Sequence, residues 1–200
     1  MRALFLIPIL ALGGCVSLLP EPPPPPRTYV LEAQDVAELE AAPIDAVIAV
    51  AEPGGERALL GADLIWRTGD TIAYVSNSAW SNRASASLQQ ILVETITRQG
   101  RFRAAARAGD ALAEYTIRWE VLDFEVREDT MTARFSADVR VVEAGRRIIA
   151  SQIITAEAPV SDRSSSIAAN ALARAAREGS ARIGVFASDA VAEARASAAE

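Results

Sequence analysis

Met131-Thr132-Ala133-Arg134-Phe135-Ser136-Ala137-Asp138-Val139-Arg140-Val141 is the clearest alternation in the chain. Met131, Ala133, Phe135, Ala137, Val139 and Val141 share one side, and polar residues hold the other. Period-two patterning of this kind marks a β-strand with one face on a core. Upstream, Tyr115, Ile117, Trp119 and Val121 alternate in the same way, after which Leu122, Phe124 and Val126 take over the apolar role. One extra residue re-aims everything that follows it, so the switch predicts a β-bulge at Val121–Leu122. Downstream, Glu143-Ala144-Gly145-Arg146 reads as a turn and Arg147 to Ala156 as a returning strand.

Helical patterns lie on either side of these three strands. Ala84, Leu88, Ile91, Leu92 and Thr95 form one face of a helix ending near Gln99, with Ser78 or Ser81 as its cap and Gly100 as its stop. Phe102 to Ala105 is a short strand, and Gly109-Asp110 a turn. After several candidate caps in Ser161 to Ser166, a closing helix from Ser164 to Ala194 carries a seam of mostly small residues. That seam is Leu172, Ala175, Ala176, Gly179, Ile183, Phe186 and Ala190. Each of its glycines, Gly179 and Gly184, costs about 1 kcal/mol relative to alanine in a helix, and the pair marks a bend. Nearer the start, Thr28 to Leu31 and Ile44 to Val50 read as strands, the second apolar on both alternations and so buried on both faces. Asp63 to Arg67 and Thr71 to Val75 flank Thr68-Gly69-Asp70 as a hairpin. The expected fold is α/β: a mixed, largely antiparallel sheet with two main helices packed on it, in layers like those of anticodon-binding or TolB N-terminal domains.

Composition narrows the chemistry. The chain has 200 residues, half of them hydrophobic, which suits one domain of ordinary size. A formal charge of −6 argues against nucleic acid and against a basic surface seeking anionic lipid. There is no histidine, and every basic residue is arginine. Histidine-dependent triads and metal sites and Ser-Lys dyads are therefore excluded, and arginine is a poor general base. Nothing in the composition calls for a cofactor or a metal.

The amino terminus reads as an address. Met1-Arg2 is a positive n-region, and Ala3 to Leu12 is an apolar run about half the ~20 residues a membrane span needs. Leu12-Gly13-Gly14-Cys15, which holds the only cysteine, resembles a lipobox, the recognition sequence of bacterial lipoproteins. The resemblance implies a signal peptide over residues 1–14, cleavage after Gly14 and a covalent lipid on Cys15. Two or three acyl chains hold a protein stably on a bilayer, where one does so only marginally. An ordinary secretory signal with an incidental cysteine is the competing reading. Residues 15–27 then form a linker. Its run Pro20-Glu21-Pro22-Pro23-Pro24-Pro25-Pro26 favours extended polyproline II, and at ~3.1 Å per residue the stretch from Val16 to Arg27 reaches roughly 35 Å. Residues 28–200 make a single domain.

Taken together, the lipobox, the proline spacer leading into Thr28-Tyr29-Val30-Leu31, and several later stretches resemble the PqiC/YmbA-type ABC-transport auxiliary lipoproteins. Those stretches are Ile72-Ala73-Tyr74, Trp80, the helix from Leu88 to Ile96, Gly100-Arg101-Phe102, Glu114-Tyr115-Thr116-Ile117 through Asp123-Phe124-Glu125, Pro159-Val160 and the final helix. Val75-Ser76-Asn77-Ser78-Ala79 departs from the acidic or proline-containing surround expected before that tryptophan. The resemblance implies a periplasmic domain on the outer membrane, working with an MCE-domain protein and an ABC permease/ATPase in moving phospholipid-like molecules between membranes. A homo-oligomer is left open. An aspartate after the lipidated cysteine favours inner-membrane retention in enteric bacteria, so Val16 fits outer-membrane sorting, with the inner membrane as the alternative.

Trp66, Tyr74 and Trp80 are the candidate partner contacts, because aromatic side chains anchor interfaces; for Trp80 the competing role is core beneath the first long helix. Asp123, Glu125, Glu128 and Asp129 could be read as paired carboxylates for acid–base work. Alternation instead turns Asp123 and Glu125 toward solvent. Arg101, Arg103 and Arg107 could grip a phosphate headgroup, against a plain solvated face. Pro53-Gly54-Gly55-Glu56 lacks the length and lysine of a phosphate loop and reads as a turn. The function expected is therefore non-enzymatic: a lipid-anchored tether that docks on a transporter. Another envelope lipoprotein of similar build, such as a cell-wall synthase activator or an outer-membrane assembly factor, is the alternative.

Overall fold

The computed structural model describes residues 25–34, 36–145 and 147–199. Leu12, Gly13, Gly14, Cys15 and most of the proline run lie outside the described residues. In chain order the elements are β1 (Arg27–Tyr29), β2 (Ile44–Val50), β3 (Gly54–Gly55), α1 (Arg57–Leu60), β4 (Asp63–Thr68), β5 (Thr71–Trp80) and α2 (Ala84–Gln99). They continue with β6 (Phe102–Arg107), β7 (Tyr115–Arg127), β8 (Thr132–Glu143), β9 (Ile148–Pro159) and α3 (Ser165–Ala198).

Among the described residues, β7 is the spine of a nine-stranded mixed sheet. One of its edges carries β8, antiparallel from Tyr115↔Glu143 to Arg127↔Thr132. The other is shared by three short parallel partners: β2 at Tyr115–Ile117, β3 at Glu120–Val121 and β4 at Val126–Arg127. Beyond these, β6 pairs β2, β5 pairs β4 and β1 pairs β5, while β9 pairs β8 on the far side. The two longest ladders, β7–β8 and β8–β9, are antiparallel. The expected α/β layers with two main helices are observed.

The bulge falls where the phase switch puts it, the register passing from Val121↔Ala137 to Asp123↔Ser136. Leu122 is the residue left over, and it is exposed rather than inward. Phe124 and Val126 do turn inward, joining an aromatic chain through the core. Trp80 stacks on Phe124 at 5.8 Å, Phe124 meets Phe135 edge-on at 6.5 Å, and Phe135 lies tilted to Trp119 at 6.4 Å. Geometries of this kind suit the ring quadrupoles.

Several boundaries differ from the sequence expectation. Trp80 ends β5 instead of opening the helical unit, because its backbone continues the pairing with Tyr29 of β1. α2 begins at Ala84 after Arg83, with no side-chain cap from either Ser78 or Ser81; Ser78 is buried within β5. Gly100 closes α2 in the left-handed conformation, φ 70°, as expected of a helix stop. Pro53-Gly54-Gly55 is more than a turn, since Gly54 and Gly55 pair with β7. α3 runs to Ala198, with Ser164 at its N-cap position but no cap from the side chain. Gly179 and Gly184 lie at points of close approach, beside Phe135 and Gln99 respectively.

Glu114, just before β7, holds the irregular start of β2. Its carboxylate accepts the Val47 N–H at 2.8 Å beside the register shift between Ile44 and Val47. That backbone hydrogen bond is the main cause holding the carboxyl below its ordinary range, with Arg103 adding to it. A depressed folded-state value means stability present above the ordinary carboxylate range and lost as pH falls through the depressed one. The side chain is about half exposed, so screening limits the effect. Glu114→Gln is expected to cost under about 1 kcal/mol near neutral pH. The difference from the parent should shrink in acid, as read by urea midpoints at pH 7 and pH 3.

Candidate functional site

Two surfaces stand out, one charged and one apolar. The charged one lies on the face of β7 and β8 away from the helices. The Arg67 Nε donates to Glu125 Oε1 at 2.5 Å, and the Arg127 Nε lies 3.8 Å from the same oxygen. Arg127 and Arg134 each reach Asp123 at 3.0 Å, and Arg134 also reaches Glu157 at 2.6 Å. Glu125 is fully buried, which corrects its expected place facing solvent. The reason is β4: its parallel pairing sets Arg67 beside Arg127, and the two guanidiniums close over the carboxylate.

The hydrogen bond to Glu125 raises Arg67 above the ordinary guanidinium value, against the opposing effect of burial. Burial likewise opposes the rise at Arg134, where the hydrogen bonds to Asp123 and Glu157 prevail. Glu128 pairs with Arg163 and accepts from Thr68. Asp123, Glu125 and Glu128 are thus committed to arginines, and a carboxylate held in that way is poorly placed to shuttle protons. Among the described residues no group of acidic side chains could hold a metal.

The arginine set does not converge on a headgroup site. Arg101 is buried and donates to the Ala42 carbonyl at 3.1 Å, Arg103 pairs with Asp45 at 3.0 Å, and Arg107 binds Gln90. The aromatic candidates divide. Trp80, 3% exposed, is core and presents no surface to a partner, because it stacks on Phe124 inside the buried cluster. Trp66 is half-buried against the same core. Tyr74, 56% exposed, stands free on β5 with Ile72 two residues away on the same side.

The apolar surface was not singled out in the sequence. Between the first half of β9 and the second half of α3 runs a groove of about 1190 Å³. Ile148, Ile153 and Val185 are exposed along it, with Ile154 and Phe186 among the lining residues. The pairs Ile148-Ile149 and Ile153-Ile154 were a usable signal: a strand apolar on both faces at the end of a sheet has one face too many for a single helix to cover. No described helix is long and apolar enough to cross a membrane.

The fold is shared with solved structures. Protein XCC0632 from Xanthomonas campestris superposes with a TM-score of 0.77 at 18% identity, covering 84% of this chain and 99% of that one. A second crystal structure, of a protein described only as uncharacterized, gives 0.66 at 14% identity, covering 82% and 99%. Among curated proteins nothing matches. The family model of the ABC-type transport auxiliary lipoprotein component matches residues 29–184, a span that begins in β1 and ends within α3. With the match spanning β2 to β9, all of α2 and the first part of α3, this chain belongs to the ABC-type transport auxiliary lipoprotein family, the PqiC/YmbA type.

Proposed function

We propose that the protein is a non-enzymatic, lipid-anchored periplasmic subunit of an MCE/ABC intermembrane lipid-transport system, acting by tethering. Acyl chains on Cys15 fix the chain in the outer-membrane leaflet, the proline run sets the stand-off, and the α/β domain docks on the transporter. The observation that carries this reading is the lone cysteine in Leu12-Gly13-Gly14-Cys15, followed by a proline spacer and a domain of the auxiliary family. The absence of histidine and the arginine-bound carboxylates support binding over turnover.

Cys15→Ala tests the anchor. In the native host the parent chain is expected in the membrane fraction with a diacylglyceryl adduct on its mature amino terminus by mass spectrometry. The variant is expected to lose the adduct and the membrane association together, since each buried methylene contributes about 0.8 kcal/mol. Cross-linking from Tyr74 in cells tests the docking; recovery of no MCE-domain protein from any surface position would refute it.

A further inference from the structure

We infer that the first half of β9 takes an extended segment of a partner protein as a tenth strand, a segment apolar on alternate residues and carrying an arginine or lysine. This goes beyond the tethering proposal and rests on its docking step. β9 is an edge: among the described strands it pairs only β8. Val160 N–H donates to Met131 O on the β8 side, so by alternation the backbone groups of Pro159, Glu157, Thr155, Ile153 and Ser151 face outward.

Natural edges are blunted against strand addition, and here the blunting covers one half only. α3 sends Arg174 to the Pro159 carbonyl at 3.0 Å and Arg182 to the Thr155 carbonyl at 2.8 Å. Proline removes a further donor. Among the described residues no side chain caps Ile153 or Ser151. Ile153, 62% exposed, stands on that open half and the groove lies beside it. An added strand would gain backbone hydrogen bonds from β9 and lay alternate side chains into the groove against Val185, the arrangement of β-augmentation.

Charge fixes the kind of segment. The arginine contacts show α3 running antiparallel to β9, eight helical residues against four strand residues, which at ~1.5 and ~3.3 Å per residue are equal lengths. Continued along both elements, that places Asp189 and Glu193 beside the open half. Asp189 has only Arg101 at 3.8 Å, and Glu193 makes no ion pair among the described residues. A cation on the incoming segment completes them. A second copy pairing through its own β9 would not supply it, because Ile148 to Pro159 contains no basic residue and Arg147, just before it, is already paired with Glu143.

The probe is a ten-residue peptide alternating valine and threonine with one arginine, beside versions with glutamate for arginine and with proline at alternate positions. Hydrogen exchange is read on the full chain in nanodiscs. The arginine peptide is expected to slow the Ser151 and Ile153 amides about tenfold or more, the glutamate peptide to bind at least about tenfold more weakly, and the proline peptide not to bind. Glu193 is exposed, so Glu193→Arg leaves folding intact and, with Asp189 unchanged, should abolish the preference for the arginine peptide. Three results would overturn the inference: no protection at those amides with any peptide; protection that grows with protein concentration in the absence of peptide; or protection by lysophospholipid alone. Each is read without the transporter and without change at Cys15, so it is distinct from failure of the tethering proposal.

Discussion

Arg67→Met is expected to destabilise the domain by about 3–5 kcal/mol, because it strands a buried carboxylate. Glu125 has no exposed surface, and its strongest partner is the Arg67 Nε at 2.5 Å. The remaining neighbour, Arg127, is 3.8 Å away, and Glu125 Oε2 has no hydrogen-bond partner among the described residues. The reverse substitution is milder. Glu125→Gln leaves two guanidiniums whose side chains are 32% and 36% exposed, and these regain water, so about 2 kcal/mol is expected. Converting both positions, Arg67→Met with Glu125→Leu, should recover most of the loss, since an apolar pair can match a buried ion pair. Urea midpoints at pH 7 read the three variants. Equal losses in the single and double variants would mean that Arg67 and Glu125 are not paired in the folded protein.

That ion pair also shows where reading the sequence stops. Alternation within a strand reports which residues share a face, and it placed Phe124 and Val126 inward through the bulge at Leu122. What covers the other face depends on a strand nearly sixty residues earlier in the chain. Arg67 closes over Glu125 because β4 pairs parallel with the end of β7, and no local pattern encodes a parallel contact of that range. The division of one β7 edge among β2, β3 and β4 is illegible for the same reason. Local signals held where the chemistry is local: the Gly69 turn, the Gly100 stop, and the faces of α2 and α3. Trp80 failed as a contact residue because composition cannot separate an anchor from a core aromatic. Only the register with Tyr29 and the stack on Phe124 do that. The groove beside β9 went unread because recognising it requires knowing that, among the described residues, β9 pairs one strand and α3 caps only its second half.

Gly179→Ala is the second large effect, and it runs against helix propensity. In an exposed helix interior the change would gain about 1 kcal/mol. Here an added Cβ would lie 2.2 Å from Phe135 Cδ1 and 2.4 Å from Cε1, distances no pair of carbon atoms tolerates. Phe135 is fully buried and held on its other sides by Phe124 and Trp119, so the ring has nowhere to turn. Either α3 lifts from the sheet or the aromatic chain shifts, and overpacking of this kind costs about 1–3 kcal/mol after the propensity gain. A loss of that size is a large part of the about 5–15 kcal/mol available to a domain. The companion substitution decides the cause. Phe135→Leu alone should lose packing, yet Gly179→Ala on the Phe135→Leu background should cost little or become stabilising, because the clash is gone and the propensity gain remains. The coupling energy from the four denaturation curves is expected to exceed about 1 kcal/mol in that direction. Additive losses would show that α3 does not meet β8 through this glycine, and the close seam of small residues that seats the closing helix would have to lie elsewhere.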